Sequence, residues 1–172
     1  MKIVGITRIR NEQKIIKNTL EHVSKFVDEI YVYDDHSTDN TIEICLENKK
    51  VKGIIKTKKW EKDPYKRLVL EGSQRQKVYH MAMARSSPDW IYYFDADEYA
   101  DFEGVDLGDK KISAFKMRLF DFYITPEDIE ASYLDRQYMG PEYRDILTLF
   151  RPTSTVKFHH REPIGIVGKI KN

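Results

Sequence analysis

Apolar positions along the chain follow two alternating periods. Ile3, Val4 and Ile6 around Gly5 predict a first strand over Lys2 to Thr7. Asn11 is a cap former and Glu12 an acidic first-turn residue, so a helix is expected from Glu12. Ile16, Leu20, Val23 and Val27 then recur at helical spacing, with Ile15 and Phe26 beside them, and define one buried face. Glu29 to Tyr33 reads as a second strand, ending in DDHSTDNT, Asp34 to Thr41, where Ser37, Thr38, Asp39 and Asn40 are turn and cap formers. Ile42 to Asn48 predicts a second helix and Val51 to Thr57 a third strand. Lys58 to Leu70 is polar and irregular, with Pro64 interrupting it, and is expected to be a mobile loop. Ser73 to Arg85 keeps Val78, Met81, Ala82 and Arg85 at helical spacing. Trp90 to Phe94 is an unbroken apolar run, the mark of a strand buried on both faces.

After Phe102 the pattern changes. Ile112 to Tyr123 alternates apolar and charged residues and predicts a half-exposed antiparallel strand. Pro126 to Ala131 predicts a short helix opened by proline. Tyr133 to Tyr143 reads as a loop around Gly140 and Pro141, Ile146 to Phe150 and Val156 to His160 as short strands, and Gly165 to Asn172 as a tail without a closing element. Strand, helix, strand, helix, strand is a doubly wound α/β pattern with a mainly parallel sheet, here with a small antiparallel C-terminal part. The length of 172 residues suits one domain, 1–172.

Composition narrows the choice mainly by exclusion. Charged residues make up 33% and hydrophobic residues 41%, which is an ordinary globular balance. A formal net charge of +1 gives no reason to expect nucleic acid as a partner. The single cysteine, Cys45, rules out an internal disulfide framework and fits a reducing, cytoplasmic setting. The apolar run at the N-terminus is too short for a secretory leader, and no run is long enough for a membrane span.

The chemistry gathers where predicted strands end. Thr7 and Arg8 follow the first, Asp34 and Asp35 the second, and Asp95-Ala96-Asp97 the aromatic strand. In doubly wound sheets, ligands bind beyond these carboxyl ends. If the chain stays extended, Asp95 and Asp97 point the same way and present two carboxylates side by side. Such a pair repels unless a cation lies between them, and Mg²⁺ or Mn²⁺ takes hard oxygen ligands that it shares with phosphate. The plainer reading is an acidic turn closing a strand. Arg75, placed in the first turn of its predicted helix, is a cation beside a positive helix end and is expected to have an anionic partner.

Laid out in this order, the chain resembles the GT-A-fold glycosyltransferases of the large inverting family 2. RNEQKIIKNTL is similar to that family's opening after the first strand. YVYDDHSTDNT resembles its paired-aspartate segment, SQRQKVYHMA its arginine-bearing helix start, and YYFDADEY its DxD motif in a DADE form. The likeness covers roughly the first hundred residues and then fades to an R-L-F, an L-F-R-P and the histidine pair of HHREP. It implies a Rossmann-like sheet with helices on both faces, a nucleotide-sugar-binding half over 1–102 and an acceptor half over 103–172. It also implies a metal-dependent, inverting transfer from a nucleotide sugar, most simply UDP-linked, to a glycan, lipid-linked or protein acceptor.

The donor-facing set would be Thr7, Arg8, Arg10, Asn11, Glu12, Asp34, Asp35, His36, Arg75, Asp95, Ala96 and Asp97. Within it, Thr7 and Arg10 would border the nucleoside and Asp34 or Asp35 would accept the N3–H of a uracil-type base. Asp95 and Asp97 would hold Mn²⁺ or Mg²⁺, with His159 or His160 as a third ligand. The general base would be Asp135, Glu142 or Asp145, in that order. The family's usual acidic pair bearing the base is not recognisable, and His36 stands where a glycine is usual. Two other functions fit parts of the pattern. One is a non-catalytic nucleotide-sugar or carbohydrate-binding domain. The other is a sugar nucleotidyltransferase, which expects a glycine-rich loop that TRIRNE, Thr7 to Glu12, lacks.

Overall fold

The computed structural model describes residues 1–123, 125–127, 131, 135–136, 138–159, 162–164, 166 and 169–171. Its elements run β1 Ile3–Ile9, α1 Ile16–Val23, β2 Glu29–Asp34, α2 Thr41–Glu47, β3 Val51–Lys56, α3 Pro64–Ser86, β4 Trp90–Phe94, β5 Ile112–Phe122, β6 Met139–Phe150, β7 Lys157–His159, β8 Glu162–Ile164 and β9 Lys169–Lys171. One sheet takes the order β3-β2-β1-β4-β6-β5-β9, and β7 and β8 form a separate pair. β1, β2, β3 and β4 are mutually parallel, whereas β6 runs antiparallel to both β4 and β5. This is the α/β sheet expected, mainly parallel with an antiparallel C-terminal part.

Alternation across the strands builds two cores. Ile30, Val32, Trp90, Tyr92 and Phe94 face α1 and α2, where Ile16, Leu20, Val23 and Cys45 complete the layer. Val4, Ile6, Tyr31, Tyr33, Ile91 and Tyr93 face α3 through Val78, Tyr79 and Ala82. Every residue of β4 is buried, as its unbroken apolar run requires. Gly5 belongs to this packing, since a Cβ there would meet the Phe94 ring at 3.1 Å. β7 lies on α3: Gln76 accepts the Phe158 N–H at 3.0 Å, and the Phe158 ring packs against Tyr79, Tyr93 and Phe150.

Several expectations are corrected. α1 begins at Ile16, not Glu12, and its first turn carries no acidic residue. Pro64 does not interrupt a loop. It opens α3 as a first-turn proline behind Asp63, whose side chain accepts the Tyr65 and Lys66 N–H groups at 2.9 and 3.2 Å. The predicted 73–85 helix is therefore the second half of a 23-residue one, and Arg75 lies well inside it. β6 begins at Met139, so the end of the predicted 133–143 loop is strand. Residues 169–171 are a strand parallel to β5, not tail. Residues 128–130, half of the helix expected over 126–131, fall outside the described residues.

Candidate active site

Because β1 pairs with both β2 and β4, their carboxyl ends lie side by side, with Ile9 opposite Asp34 and Thr7 opposite Phe94. The three polar clusters therefore meet at one edge of the sheet, as expected.

The first group is closed on itself. Arg8 donates through Nη2 to Asp35 Oδ2 at 2.7 Å and through Nε to Gln74 Oε1 at 2.6 Å, and Gln74 Nε2 donates to Asp35 Oδ1 at 3.0 Å. Both oxygens of the buried Asp35 are thus engaged. The carboxylate of Asp34, also buried, accepts the Ser37 N–H, shared between its oxygens at 3.0 and 3.2 Å, and no other hydrogen bond among the described residues. Thr7 is buried beside them, and its hydroxyl has no hydrogen-bond partner among the described residues.

The loop after β1 is bound to the loop after β2. Ser37 Oγ accepts the Asn11 N–H at 2.9 Å, Asn11 Oδ1 accepts the Thr38 N–H at 2.8 Å, and Thr41 Oγ1 accepts the Glu12 N–H at 2.7 Å. Asn11 can do this because it adopts φ +55, a left-handed conformation in which asparagine is among the more tolerant residues. That role replaces the helix cap read from the sequence. His36 takes φ +63, the conformation a glycine would adopt freely, and its Nδ1 lies 3.3 Å from the Thr57 carbonyl oxygen. Beyond this clasp Arg10 stacks on Trp60 at 4.0 Å, and Arg67 stacks on the same ring at 4.6 Å.

The aspartate segment is not extended. β4 ends at Phe94, and the Asp95 carbonyl accepts the Glu98 N–H at 3.1 Å while Glu98 Oε2 accepts the Asp95 N–H at 3.2 Å. The chain therefore turns at Asp95 instead of continuing the strand. Ala96 is buried, its carbonyl taking the Thr19 hydroxyl of α1, while Asp97 is exposed at the tip. Asp95 keeps the parity of Tyr93 and faces α3. There it accepts the Tyr93 hydroxyl and lies 3.7 Å from Arg75, which is 2.6 Å from Glu71 and stacked on the Tyr93 ring at 4.5 Å. Burial first, then the charge of Asp95, pushes the Tyr93 hydroxyl well above its usual pKa, with Arg75 opposing. Arg75 thus has the anionic partner expected of it, although from mid-helix.

Glu12 completes the acidic edge. Its carboxyl is held above the usual range, first by burial and then by Asp97, Asp39 and Asp95. Gln74, Glu71, Glu98, Tyr93 and Trp60 all shape the site and were missed by sequence reasoning. None was singled out as a site residue: Gln74 read as helix, Tyr93 as buried strand, Trp60 as loop and Glu98 as part of an acidic run, and Glu71 fell between the predicted loop and helix.

The base candidates divide by setting. Asp135 and Glu142 are exposed, and Asp145 on β6 is half-buried, 3.2 Å from Arg118, whose guanidinium stacks on Tyr143 at 4.0 Å. His160 lies outside the described residues. Among those described, no group of three or more His, Cys, Asp or Glu is placed to hold a metal ion unaided. The chemistry of Asp95 and Asp97 still fits a hard cation in part: both are oxygen donors, and Glu12, whose pKa is raised by burial first and then by Asp97, Asp39 and Asp95, adds a third carboxyl to their surroundings. The remaining ligands would come from a bound phosphate group and water. Among the described residues, no helix is long and apolar enough to cross a membrane.

Fold and site together define an α/β protein whose parallel strands end in a cluster of carboxylates and guanidinium groups. The chain belongs to glycosyl transferase family 2, whose model matches residues 6–106. It is 31% identical over 149 residues to an uncharacterized protein of Mycobacterium tuberculosis, a match covering 86% of this chain and 33% of that protein. It is also 31% identical over 161 residues to the SPbeta prophage-derived glycosyltransferase SunS of Bacillus subtilis, covering 91% of this chain and 33% of SunS. It thus spans about a third of the length of the curated relatives it matches. Among solved structures, mannosyl-3-phosphoglycerate synthase from Rubrobacter xylanophilus aligns with a TM-score of 0.47 and 15% identity, covering 67% of this chain and 39% of that one.

Proposed function

We propose that the chain is a glycosyltransferase that moves a sugar from a UDP-linked donor to an acceptor hydroxyl with inversion. The observation that carries this reading is the meeting of three strand ends, where one carboxylate is neutralised by Arg75 and a second, Asp97, is left exposed beside it. That arrangement suits a ligand bringing both negative charge and a cation.

The clasped loops form the nucleoside edge, bordered by Thr7 and Arg10. The base N–H goes to Asp34 or Asp35, the buried pair at the end of β2. Asp97 and Asp95 would hold Mn²⁺ or Mg²⁺, which would supply charge neutralisation for the leaving diphosphate. Arg75, held by Glu71 and stacked on Tyr93, positions Asp95. In transfer, the acceptor oxygen bonds to the anomeric carbon as the bond from that carbon to the diphosphate breaks, and the diphosphate keeps the electron pair. The hydroxyl proton passes to a carboxylate among Asp135, Glu142 and Asp145, and the half-buried setting of Asp145 beside Arg118 supports Asp145. The setting is cytoplasmic.

Isothermal titration with UDP and Mn²⁺ tests the reading. Micromolar binding is expected in the parent chain, with a loss of at least tenfold in Asp97→Ala. Absent binding, or binding indifferent to Asp97→Ala, removes the assignment. A donor-binding domain without transfer is favoured by one observation, the exposure of Asp135 and Glu142. UDP-sugar hydrolysis that disappears in Asp97→Ala argues against it.

A further inference from the structure

A cavity of about 510 Å³ lies between the 98–106 segment and the β5–β6 hairpin. Register fixes its height. Tyr92 pairs with Leu149, so antiparallel register sets Leu147 level with Phe94, and the β6 residues before Leu147, with their β5 partners, rise past the end of β4 alongside the Asp95–Glu98 turn. Met117 pairs with Ile146 at that level. Tyr92, Phe115, Met117 and Ile146 supply apolar walls.

Two polar groups complete the cavity. Glu98 lines it and is tied through the Asp95 N–H to the aspartate turn. Thr148 lines it from an irregularity in the β5–β6 ladder, where Phe115 pairs with Leu149 but Lys116 with Leu147. Thr148 is the unpaired residue of that bulge, a device that re-aims a side chain. It is 4% exposed, and its hydroxyl has no hydrogen-bond partner among the described residues. A buried hydroxyl left unmatched costs free energy unless a ligand or water satisfies it. Charges lining the cavity balance, Glu98, Asp101 and Asp106 against Lys116, Arg118 and Lys171, so it selects for no net charge.

We infer that this cavity is the acceptor pocket and takes an uncharged alcohol with an apolar body, aromatic or branched aliphatic, anchored by the Thr148 hydroxyl. The assignment rests on the transferase reading above, and its volume is that of a site for a drug-sized ligand. The transfer step is the one already described, with the alcohol as the attacking oxygen.

The test uses 4-methylumbelliferone, a fluorescent aryl alcohol, titrated into the full chain with UDP binding measured in parallel. Saturable probe binding is expected, at least tenfold weaker in Met117→Trp, which fills the cavity, and about threefold weaker in the near-isosteric Thr148→Val. UDP affinity is expected to be unchanged in both. Methyl glucoside, a sugar without an apolar body, is expected not to displace the probe. UDP binding without probe binding overturns the pocket and leaves the donor reading standing. Probe binding equal in Met117→Trp, or displaced by methyl glucoside, overturns it as well. Variant-sensitive probe binding without UDP binding overturns the cavity's part in transfer and sinks the donor reading with it.

Discussion

Arg75 shows how much one side chain carries. It is 2% exposed, stacked on Tyr93, and faces two carboxylates that are themselves only partly solvated. Replacing it with methionine fills the space but leaves Asp95 and Glu71 without their cation. Breaking a buried pair costs roughly 3–5 kcal/mol, and the partial exposure of both partners lowers the expected loss to about 2–3 kcal/mol in urea unfolding. A loss near zero would mean that water already compensates Asp95.

Glu12 is the opposite case, a carboxylate that the fold holds at a disadvantage. Its pKa is raised by burial first and then by Asp97, Asp39 and Asp95, so the folded chain binds the proton more tightly than the unfolded chain does. The associated stability is fully present below the ordinary glutamate value of about 4.5 and is lost as pH rises through the folded value. Glu12→Gln is therefore expected to have a higher urea midpoint than the parent at pH 7.5, with the difference vanishing near pH 4. A lower midpoint at pH 7.5 would show that the carboxylate makes a favourable contact.

Elements were legible from the sequence where burial wrote a period into them. β1, β2, β3, β4 and α2 fall within a residue or two of their predicted bounds, because each presents a clear apolar face to one or both cores. Misreadings cluster where a local signal had another use. Asn11 reads as a cap but clasps the neighbouring loop, and Pro64 reads as a breaker but starts a helix. The early half of β6 is exposed, so nothing in its apolar pattern marks it as strand. The candidate site was legible as clusters at strand ends, but not as a network. The pairing of Gln74 with Arg8 and Asp35 depends on which elements become neighbours, whereas Glu71 with Arg75 and Glu98 with Asp95 are local pairs, hidden because the helix was expected only from Ser73 and the aspartates were expected to be extended. The first two turns of α3 bury little, so they depend on their cap more than on packing. Asp63→Ala is expected to cost about 1 kcal/mol in urea unfolding and to raise hydrogen exchange over 64–70 while leaving 74–86 protected. Uniform loss of protection along α3 would place its stability elsewhere.

At the scale of the molecule, the boundary near Phe102, proposed to divide a donor half from an acceptor half, is not a boundary of folding. β4 joins β6 through only two paired positions, Ile91 with Phe150 and Tyr92 with Leu149. The cores nevertheless cross that seam. Trp90 packs on Phe115, donates to the Leu107 carbonyl at 3.2 Å and lies under Arg151 at 4.4 Å, while Phe150 and Phe158 pack against Tyr79 of α3. Without the second half, β4 would be an edge strand with five buried residues laid open. One cooperative transition follows, and it can be followed from both sides of the seam. In a Trp60→Phe background, fluorescence reports only Trp90 at the junction, and far-ultraviolet circular dichroism reports α1, α2 and α3 in the first half. The two urea midpoints are expected to coincide. A fluorescence change that precedes the loss of helix would mean that the acceptor half detaches first and that the halves fold as separate units.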